Sequence, residues 1–305
     1  MNVEWMRGCA TALVTPFGAD GGVDVDRMRA LVGRQVACGV GLLVPCGTTG
    51  EGVTMSAGER ESVIAATVEV ARGRARVIAG TGSNSTAHAV EQSRRAAELG
   101  ADAVLVVAPY YNKPTQEGLY RHFRAVAEAV PDTPVVLYNV PGRTSSNITA
   151  EVTLRLARDC GNVVAVKEAS GNLSQIMKIL RGRPKDFLVL SGDDALTLAM
   201  LALGADGLVS VASNEAPELM SHMVNTALGG RWEEARREHY RLLPLMDVNF
   251  IESSPGPVKA ALALMGLLEE NLRLPLVPVT EKTRNRVREV LSELGLLGGT
   301  SHVTA

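Results

Sequence analysis

One lysine stands at the end of a short apolar run, where its side chain could act as a nucleophile. Lys167 follows the run VVAV (163–166), and Glu168 comes next. Burial at the end of such a strand favours the neutral amine, which is the form that attacks a ketone to give an imine. A structural lysine that pairs with Glu168 or another carboxylate is the alternative, and Lys167 alone does not decide between the two.

Other polar residues come at or after neighbouring apolar runs. Thr48 and Thr49 lie in the glycine-bounded segment GTTGE (47–51), whose N–H groups and hydroxyls suit a carboxylate. Tyr138 ends the run before that of Lys167, and its phenol can donate and accept a proton. Arg143 follows in a Pro-Gly turn, where it could bind a second carboxylate bidentately. A tight turn with a helix cap, a core tyrosine and a solvated loop arginine are the structural alternatives.

Two other kinds of catalytic site are disfavoured, because the sequence does not place the residues they need at the ends of apolar runs. The five histidines are His88, His122, His222, His239 and His302. None of them comes at the end of an apolar run, which disfavours a Ser-His-Asp triad and a histidine-rich metal site. Asp193 and Asp194 could bind a metal, but an acidic pair at the start of a helix is more typical of capping.

The elements that would position these residues follow a repeating pattern of a short apolar run and an amphipathic segment. The eight apolar runs cover residues 9–14, 40–45, 77–79, 103–108, 135–138, 163–166, 187–190 and 208–211. Helical spacing predicts helices between them, for example at 25–38, 57–72, 87–99 and 119–130. Gly39, Gly100, Gly161 and Gly204 stand where helix C-cap glycines are expected.

A β/α repeat accounts for this pattern best. The segment LGADAVLVVAP (99–109) is echoed by LGADGLVSVAS (203–213), and eight such units close into a (β/α)₈ TIM barrel. An open doubly wound sheet is the alternative, although its GxGxxG fingerprint is absent after the first run. We therefore predict a catalytic barrel over residues 1–228 and a C-terminal helical region over residues 229–305. Helices are expected in the latter at 232–246, 258–270 and 281–294.

The composition narrows the class of protein. The net charge is −2 with scattered basic residues, so neither a nucleic acid nor a membrane is expected as a partner. The four cysteines show no CxxC spacing and are expected to be buried thiols in a reducing compartment. The N-terminal sequence lacks the apolar run of a signal peptide, and no apolar stretch is long enough to span a membrane. A cytoplasmic enzyme is the resulting expectation.

Six segments together match one known family in order and spacing. They are GTTGE (47–51), PYYNKP (109–114), YNVPGRT (138–144), VVAVKEAS (163–170), SGDD (191–194) and LRLPLVP (272–278). With these segments nearly the whole chain resembles the dihydrodipicolinate synthase and N-acetylneuraminate lyase superfamily of class I pyruvate-dependent aldolases. The resemblance implies imine chemistry with pyruvate and no metal or organic cofactor, because the protonated imine is itself the electron sink.

The resemblance also implies roles for particular residues. Lys167 is similar to the Schiff-base lysine, and Tyr138 to the central proton donor and acceptor. Thr48 is similar to its partner in a proton relay, which Tyr111 from a neighbouring subunit completes. A homo-oligomer, built as a tetramer from two dimers, is implied in turn.

Substrate contacts follow from the same resemblance. Thr49 and the backbone at Val209 match positions that contact pyruvate, and Arg143 matches the arginine that holds the carboxylate of aspartate semialdehyde. Because of Arg143 and the double tyrosine of PYYNKP, the branch that condenses pyruvate with aspartate semialdehyde on the way to diaminopimelate and lysine is favoured. An aldolase or lyase for a longer sugar acid and a non-catalytic paralogue are the other hypotheses.

Two departures from relatives lead to further expectations. The segment ESSPGPVKAAL (252–262) differs from the more usual EPNPIPVK form, and we expect the change to affect packing or assembly rather than chemistry. In lysine-sensitive relatives, histidines match Ala57 and Arg60, and a glutamate matches His88. Loss of that carboxylate and the added charge of Arg60 predict weak or absent inhibition by L-lysine. Alternatively, Arg60 swings outward and binds the inhibitor's carboxylate.

Overall fold

Eight parallel strands form a closed barrel in the computed structural model, which describes residues 1–297. Each strand pairs with the next along the chain, and β8 returns to pair with β1 in parallel. The strands are β1 (Gly8–Ala12), β2 (Leu42–Val44), β3 (Arg76–Gly80), β4 (Ala103–Val107), β5 (Val135–Asn139), β6 (Val163–Glu168), β7 (Leu188–Ser191) and β8 (Gly207–Ser210). This closure confirms the predicted TIM barrel and shows that the doubly wound alternative is wrong.

Helices alternate with the strands and continue after the barrel is complete. The helices up to the last barrel strand are α1 (Val25–Ala37), α2 (Ala57–Ala71), α3 (Thr86–Glu98), α4 (Gln116–Ala129), α5 (Pro141–Thr144), α6 (Ala150–Asp159), α7 (Leu173–Gly182) and α8 (Thr197–Ala202). After β8 come α9 (Pro217–Leu228), α10 (Trp232–Val248), α11 (Gly256–Leu264) and α12 (Glu281–Glu293). No helix within residues 1–297 is long and apolar enough to cross a membrane.

All the predicted strands and helices are present, with shifted ends. The largest shift is in the predicted helix 258–270, which is observed as α11 and ends at Leu264, where Gly266 takes a positive φ of 72°. Gly39, Gly100 and Gly204 have the positive φ values of a helix-ending glycine. Gly161 does not, and this part of the prediction is wrong, because α6 already ends at Asp159 with Cys160 as its cap.

The sheet separates two apolar layers. Side chains that point into the barrel include Val44, Leu105, Tyr138 and Val209, whereas their neighbours along the strands pack against the surrounding helices. Because side chains alternate along a strand, Val166 faces the helices and Lys167 faces the barrel interior. The alternation directs Lys167 into the barrel, and its position near the end of β6 places it where the strands' carboxyl ends meet.

Three helices, α10 to α12, and the loops between them follow α9 in the part of the chain that the structure describes. The loops between them return to the barrel, since Arg273 donates to the backbone carbonyl of Gly21 and Asn271 to that of Phe17. The division of the chain at residue 228 stays a prediction. The last part of the predicted C-terminal region, residues 298–305 with His302, lies outside the described residues. What the contacts establish is that the C-terminal region packs on the same barrel end as the predicted site.

Candidate active site

Lys167 and Tyr138 are direct neighbours across two paired strands. The pairing of β5 with β6 places the two residues opposite each other, and both are buried. The Nζ atom of Lys167 lies 4.4 Å from the centroid of the Tyr138 ring. The amine is therefore next to a phenol that can exchange protons with it or with a group bound to it.

Lys167 has no ion-pair partner among residues 1–297, because the adjacent carboxylate is bound elsewhere. Glu168 points to the other side of β6 and accepts hydrogen bonds from the side-chain amides of Asn139 (3.1 Å) and Gln175 (3.3 Å) and from the backbone N–H of Ser170 (2.8 Å). The alternative of a structural lysine paired with Glu168 is therefore wrong. An unpaired amine in a mostly apolar surrounding is suited to nucleophilic attack.

A glycine makes room for the lysine. A Cβ atom at Gly192, directly after β7, would lie 2.9 Å from Cε of Lys167 and 2.8 Å from Cβ of Ala169. Neither approach is tolerable for a real side chain. The residue after the neighbouring strand thus has to be glycine if Lys167 is to keep its direction.

The GTTGE segment forms a tight turn at the end of β2 and leads toward α2. The N–H of Glu51 donates to the carbonyl of Thr48 (3.1 Å), and that of Gly52 to the carbonyl of Gly47 (3.2 Å). A single turn of 3₁₀ helix follows, and Ser56 and Glu59 then start α2 with a reciprocal capping box. Thr48 is exposed at the tip of the turn.

A cavity of about 270 Å³ brings together residues that are far apart in the sequence. Thr48, Tyr138 and Arg143 line it, as the sequence predicts. Arg143 is exposed in the short helix α5, and it makes no salt bridge with any residue that the structure describes. Its guanidinium is thus available to an acidic substrate.

The C-terminal region also contributes to this cavity. Ser253 and Ser254 line it together with Pro275 and Leu276. The segment that departs from the usual EPNPIPVK form thus forms part of the cavity wall, and the expectation that the departure affects packing or assembly rather than chemistry stays a prediction. Sequence position could not reveal this, because the segment reaches the cavity only when the chain folds back onto the barrel.

Four predicted residues are not among those that line this cavity, namely Lys167, Thr49, Val209 and Tyr111. Thr49 is buried beside Thr48, and Val209 lies within the barrel interior on β8. No hydrogen bond joins Thr48 to Tyr138 in the described structure, although both line the cavity. Tyr111 does not line it, since its side chain is 88% exposed on a loop where its backbone takes a positive φ of 74°.

The second buried lysine was not singled out by the sequence prediction. Lys259 in α11 is fully buried, and its Nζ lies 2.5 Å from Oε1 of Glu51, the last residue of GTTGE. Burial lowers the pKa of Lys259, and the adjacent carboxylate opposes that shift. A lysine within the apolar stretch VKAALAL was the available signal, but the sequence did not indicate its partner.

The three positions considered for lysine inhibition share one groove between α2 and α3. Ala57, Arg60 and His88 all line this groove, which has a volume of about 740 Å³. Arg60 is buried, and its guanidinium donates to the backbone carbonyls of Gly52 (2.7 Å) and Gly80. An outward movement of Arg60 would break both hydrogen bonds.

The cysteines offer no competing nucleophile in the cavity. Cys46 lines it, but burial raises the pKa of its thiol to about 11, which keeps it protonated at neutral pH. All four cysteines are unpaired; Cys9, Cys46 and Cys160 are buried, and Cys38 is half-buried rather than buried as predicted. The capping interpretation of Asp193 and Asp194 is wrong, because no side chain caps α8: Asp193 accepts from the N–H of Leu196 before the helix, and Asp194 accepts from the N–H groups of Val211 and Ala212.

Known proteins match this architecture over nearly the whole chain. A family model described as the dihydrodipicolinate synthetase family matches residues 5–294. The chain belongs to this family. A relative from Koribacter versatilis named 4-hydroxy-tetrahydrodipicolinate synthase is 56% identical over 293 residues, which are 96% of this chain and 97% of the relative.

Solved structures of family members agree with the fold. The dihydrodipicolinate synthase of Aquifex aeolicus is 45% identical, with a TM-score of 0.94 and coverage of 96% of this chain and 100% of that one. A second structure, described as the first monomeric dihydrodipicolinate synthase variant, is 46% identical, with a TM-score of 0.93. The match covers 95% of this chain and 97% of that one. At such identity the likeness extends to the family as well as to the fold.

Proposed function

We propose that this protein condenses pyruvate with L-aspartate 4-semialdehyde to 4-hydroxy-tetrahydrodipicolinate, a lyase reaction of diaminopimelate and lysine biosynthesis. Relatives with this name match the chain along its full length. The observation that carries the mechanism is the buried Lys167, which has no carboxylate partner among residues 1–297 and lies 4.4 Å from the ring of Tyr138. An amine so placed can form an imine with a ketone.

The reaction would proceed through a covalent intermediate on Lys167. Its amine attacks C2 of pyruvate, and loss of water from the carbinolamine gives the protonated imine. Removal of a proton from C3 yields an enamine, whose carbon adds to the aldehyde of the second substrate. The amine of that substrate then attacks the imine carbon, closes the ring and releases Lys167. No metal or organic cofactor is needed, because the protonated imine withdraws the electrons.

The neighbouring residues would serve the proton transfers and bind the two carboxylates. Tyr138 is proposed to carry protons to and from the intermediate, with Thr48 as the next member of the relay. Thr49 and the backbone at Val209 are proposed to bind the carboxylate end of pyruvate. Arg143, at the cavity wall and outside any salt bridge in the described residues, would bind the carboxylate of aspartate semialdehyde.

Assembly is the part of the proposal that depends on Tyr111. Its exposed ring, on a loop in a strained conformation, suits insertion into a neighbouring subunit. We propose that Tyr111 completes the partner's relay in a tetramer built from two dimers. A family member described as monomeric has a closely similar chain fold, so the fold by itself does not require this assembly. A cytoplasmic location also belongs to the proposal.

Inhibition by L-lysine is proposed to be weak or absent. The groove with Ala57 and His88 presents no glutamate at the position of His88, and the charge of Arg60 lies at its edge. The hydrogen bonds of Arg60 to two carbonyl groups oppose the outward movement that would let it bind the inhibitor.

An assay of the purified protein with pyruvate and a panel of aldehydes tests the function. Aspartate semialdehyde should be the preferred partner, and longer sugar aldehydes should react poorly. Preference for a sugar aldehyde would favour the alternative of a sugar-acid aldolase or lyase, and no turnover with any aldehyde would favour a non-catalytic paralogue.

A further inference from the structure

The last residue of the GTTGE segment has an unusual combination of backbone conformation and burial. Glu51 takes a positive φ of 52°, and its side chain is fully buried. A left-handed backbone is uncommon for a residue other than glycine, and an unpaired buried carboxylate is costly. Glu51 keeps both features only if other groups hold its carboxylate.

Those groups come from the C-terminal region. Lys259 contacts Oε1 of Glu51 at 2.5 Å, and the backbone N–H of Arg273 donates to Oε2 at 3.1 Å. The ammonium group of Lys259 also donates to the carbonyl of Asn271 at 2.7 Å. Both oxygens of the carboxylate are thereby satisfied by a part of the chain more than 200 residues away.

Arg273 extends this attachment along the chain after GTTGE. Its guanidinium donates to the carbonyl of Thr54 (2.9 Å) and binds both oxygens of Glu59. The hydrogen bonds from Arg273, together with that from the N–H of Ser56, lower the pKa of Glu59 to about 2. The ring of Phe17 packs against both cations, 4.2 Å from Nζ of Lys259 and 4.4 Å from the guanidinium carbon of Arg273. The C-terminal region therefore holds the segment between the turn and α2 at Glu51, Thr54 and Glu59.

The turn has little freedom to absorb a movement at Glu51. A Cβ atom at Gly52 would lie 2.3 Å from the carbonyl oxygen of Cys46, so the two backbone segments are in close contact. The hydroxyl of Thr15 also donates to the carbonyl of Gly50 at 2.7 Å. Displacement of Glu51 would consequently move the preceding threonines.

We propose that Lys259 and Glu51 are positioning residues whose ion pair fixes the turn carrying Thr48 and Thr49 at the active site. Replacing a buried ion pair by apolar residues often leaves stability unchanged or higher, so stability alone does not explain why a chain keeps one. Fixing the geometry of a catalytic turn is a role that apolar packing would serve less well. The role depends on the proposed function, because only that function gives the two threonines their tasks.

The test compares Lys259→Met with native protein in two measurements made well below the unfolding temperature of each. One is steady-state turnover with pyruvate and aspartate semialdehyde. The other is the pyruvate concentration that half-saturates borohydride trapping on Lys167, which requires no second substrate. A misplaced catalytic group costs up to about 100-fold, and we expect at least a roughly 10-fold loss of kcat/KM with a similar rise in the half-saturating pyruvate concentration.

Two further variants separate positioning from stability. Arg284→Met removes another ion pair of the C-terminal region, that with Glu270, which does not touch the GTTGE turn. It should lower the unfolding temperature and leave both kinetic readouts unchanged. The double variant Lys259→Met/Glu51→Gln leaves no buried charge unpaired, so it should regain stability while keeping the kinetic defect.

Kinetic values of folded Lys259→Met within about two-fold of native would overturn the proposal. If Lys259→Met does not fold, Glu51→Gln decides, since it keeps the shape of the side chain and an acceptor for the N–H of Arg273. A kinetic defect in that folded variant supports the proposal, and native kinetics overturn it. Absence of turnover by native protein would instead refute the proposed function, and the trapping measurement with pyruvate alone would still test the positioning role.

Discussion

Two buried lysines lie near the same end of the barrel, in contrasting surroundings. Lys259 is fully enclosed and bound to the carboxylate of Glu51, to a backbone carbonyl and to the face of Phe17. Lys167 is also buried but has no carboxylate partner among residues 1–297, and its nearest functional neighbour is the ring of Tyr138. The two lysines therefore differ in the partner of the amine and not in burial.

The contrast suits the two lysines to different roles. The amine of Lys259 is held by the carboxylate of Glu51 and the carbonyl of Asn271, so it is not free to attack a substrate. The amine of Lys167 has no carboxylate partner among residues 1–297 and lies beside the ring of Tyr138. Imine formation is therefore proposed for Lys167 and positioning for Lys259.

Replacing the two lysines one at a time should give the largest difference in turnover between variants. Lys167→Met should abolish turnover, because it removes the amine proposed to form the imine intermediate. Lys259→Met should retain measurable turnover, because the nucleophile itself remains. Steady-state assays on both variants, with folding verified by circular dichroism, check this. Substantial activity in Lys167→Met would mean that the covalent step has been assigned to the wrong residue.

Loss of the phenol next to Lys167 should have the next largest effect. Tyr138→Phe keeps the ring packed against the amine but cannot transfer a proton, and a positioned acid–base group contributes about 10²–10⁴-fold to the rate. We expect a drop in kcat of this size without a change in unfolding temperature. Tyr240→Phe, on the exposed side of α10, is a control of the same chemistry. A kcat of more than roughly a third of the native value in Tyr138→Phe would exclude it as the proton carrier.

Arg143 should affect one substrate and not the other. Its replacement by methionine removes a bidentate charge-assisted contact, worth on the order of 2–4 kcal/mol. The KM for aspartate semialdehyde should rise accordingly, and trapping of pyruvate on Lys167 should stay the same. Arg121→Met, on the exposed face of α4, serves as the control. Equal damage to both steps would indicate a structural arginine, and no damage to either would favour the sugar-acid alternative.

The smallest expected effect concerns two buried carboxylates, Glu51 and Glu215, which differ in their partners as the two lysines do. Glu215, after β8, is as buried as Glu51, but it forms no ion pair with any residue that the structure describes. Burial raises the pKa of Glu215 well above its usual range. The folded protein therefore keeps this group protonated at a pH where the unfolded chain has already ionised.

It follows that the native protein loses stability relative to Glu215→Gln as the pH rises above the unfolded pKa of about 4.3. The glutamine variant should unfold at a temperature higher by about 1–3 °C at neutral pH, and the gain should vanish near pH 4. Thermal unfolding across this pH range measures it, with the exposed Glu218→Gln as control. A gain independent of pH would mean that ionisation of Glu215 plays no part.

Much of the fold and part of the site could be predicted from local sequence. Apolar runs and amphipathic segments reveal the barrel, because strand and helix periods are local properties. Lys167, Tyr138 and Thr48 could be found because they end apolar runs, and strand ends meet in a barrel. Gly161 was misinterpreted, because a glycine after a helix does not always cap it.

The remaining features depend on contacts between distant parts of the chain. Nothing near Glu51 indicates that Lys259 will reach it, and Ser254 reaches the cavity only through the fold of the C-terminal region. The role proposed for Tyr111 depends on a second subunit. Such features require the tertiary or quaternary structure, since neither residue spacing nor hydrophobic pattern encodes which distant groups meet.

Borohydride trapping with pyruvate, followed by peptide mass spectrometry, tests the central claim most directly. Both buried lysines are present in the same molecule, so each serves as the internal reference for the other. We predict a single reduced pyruvyl adduct on Lys167, with Lys259 unmodified. An adduct on Lys259 or on another lysine, or no adduct at all, would contradict the assignment of Lys167 as the nucleophile.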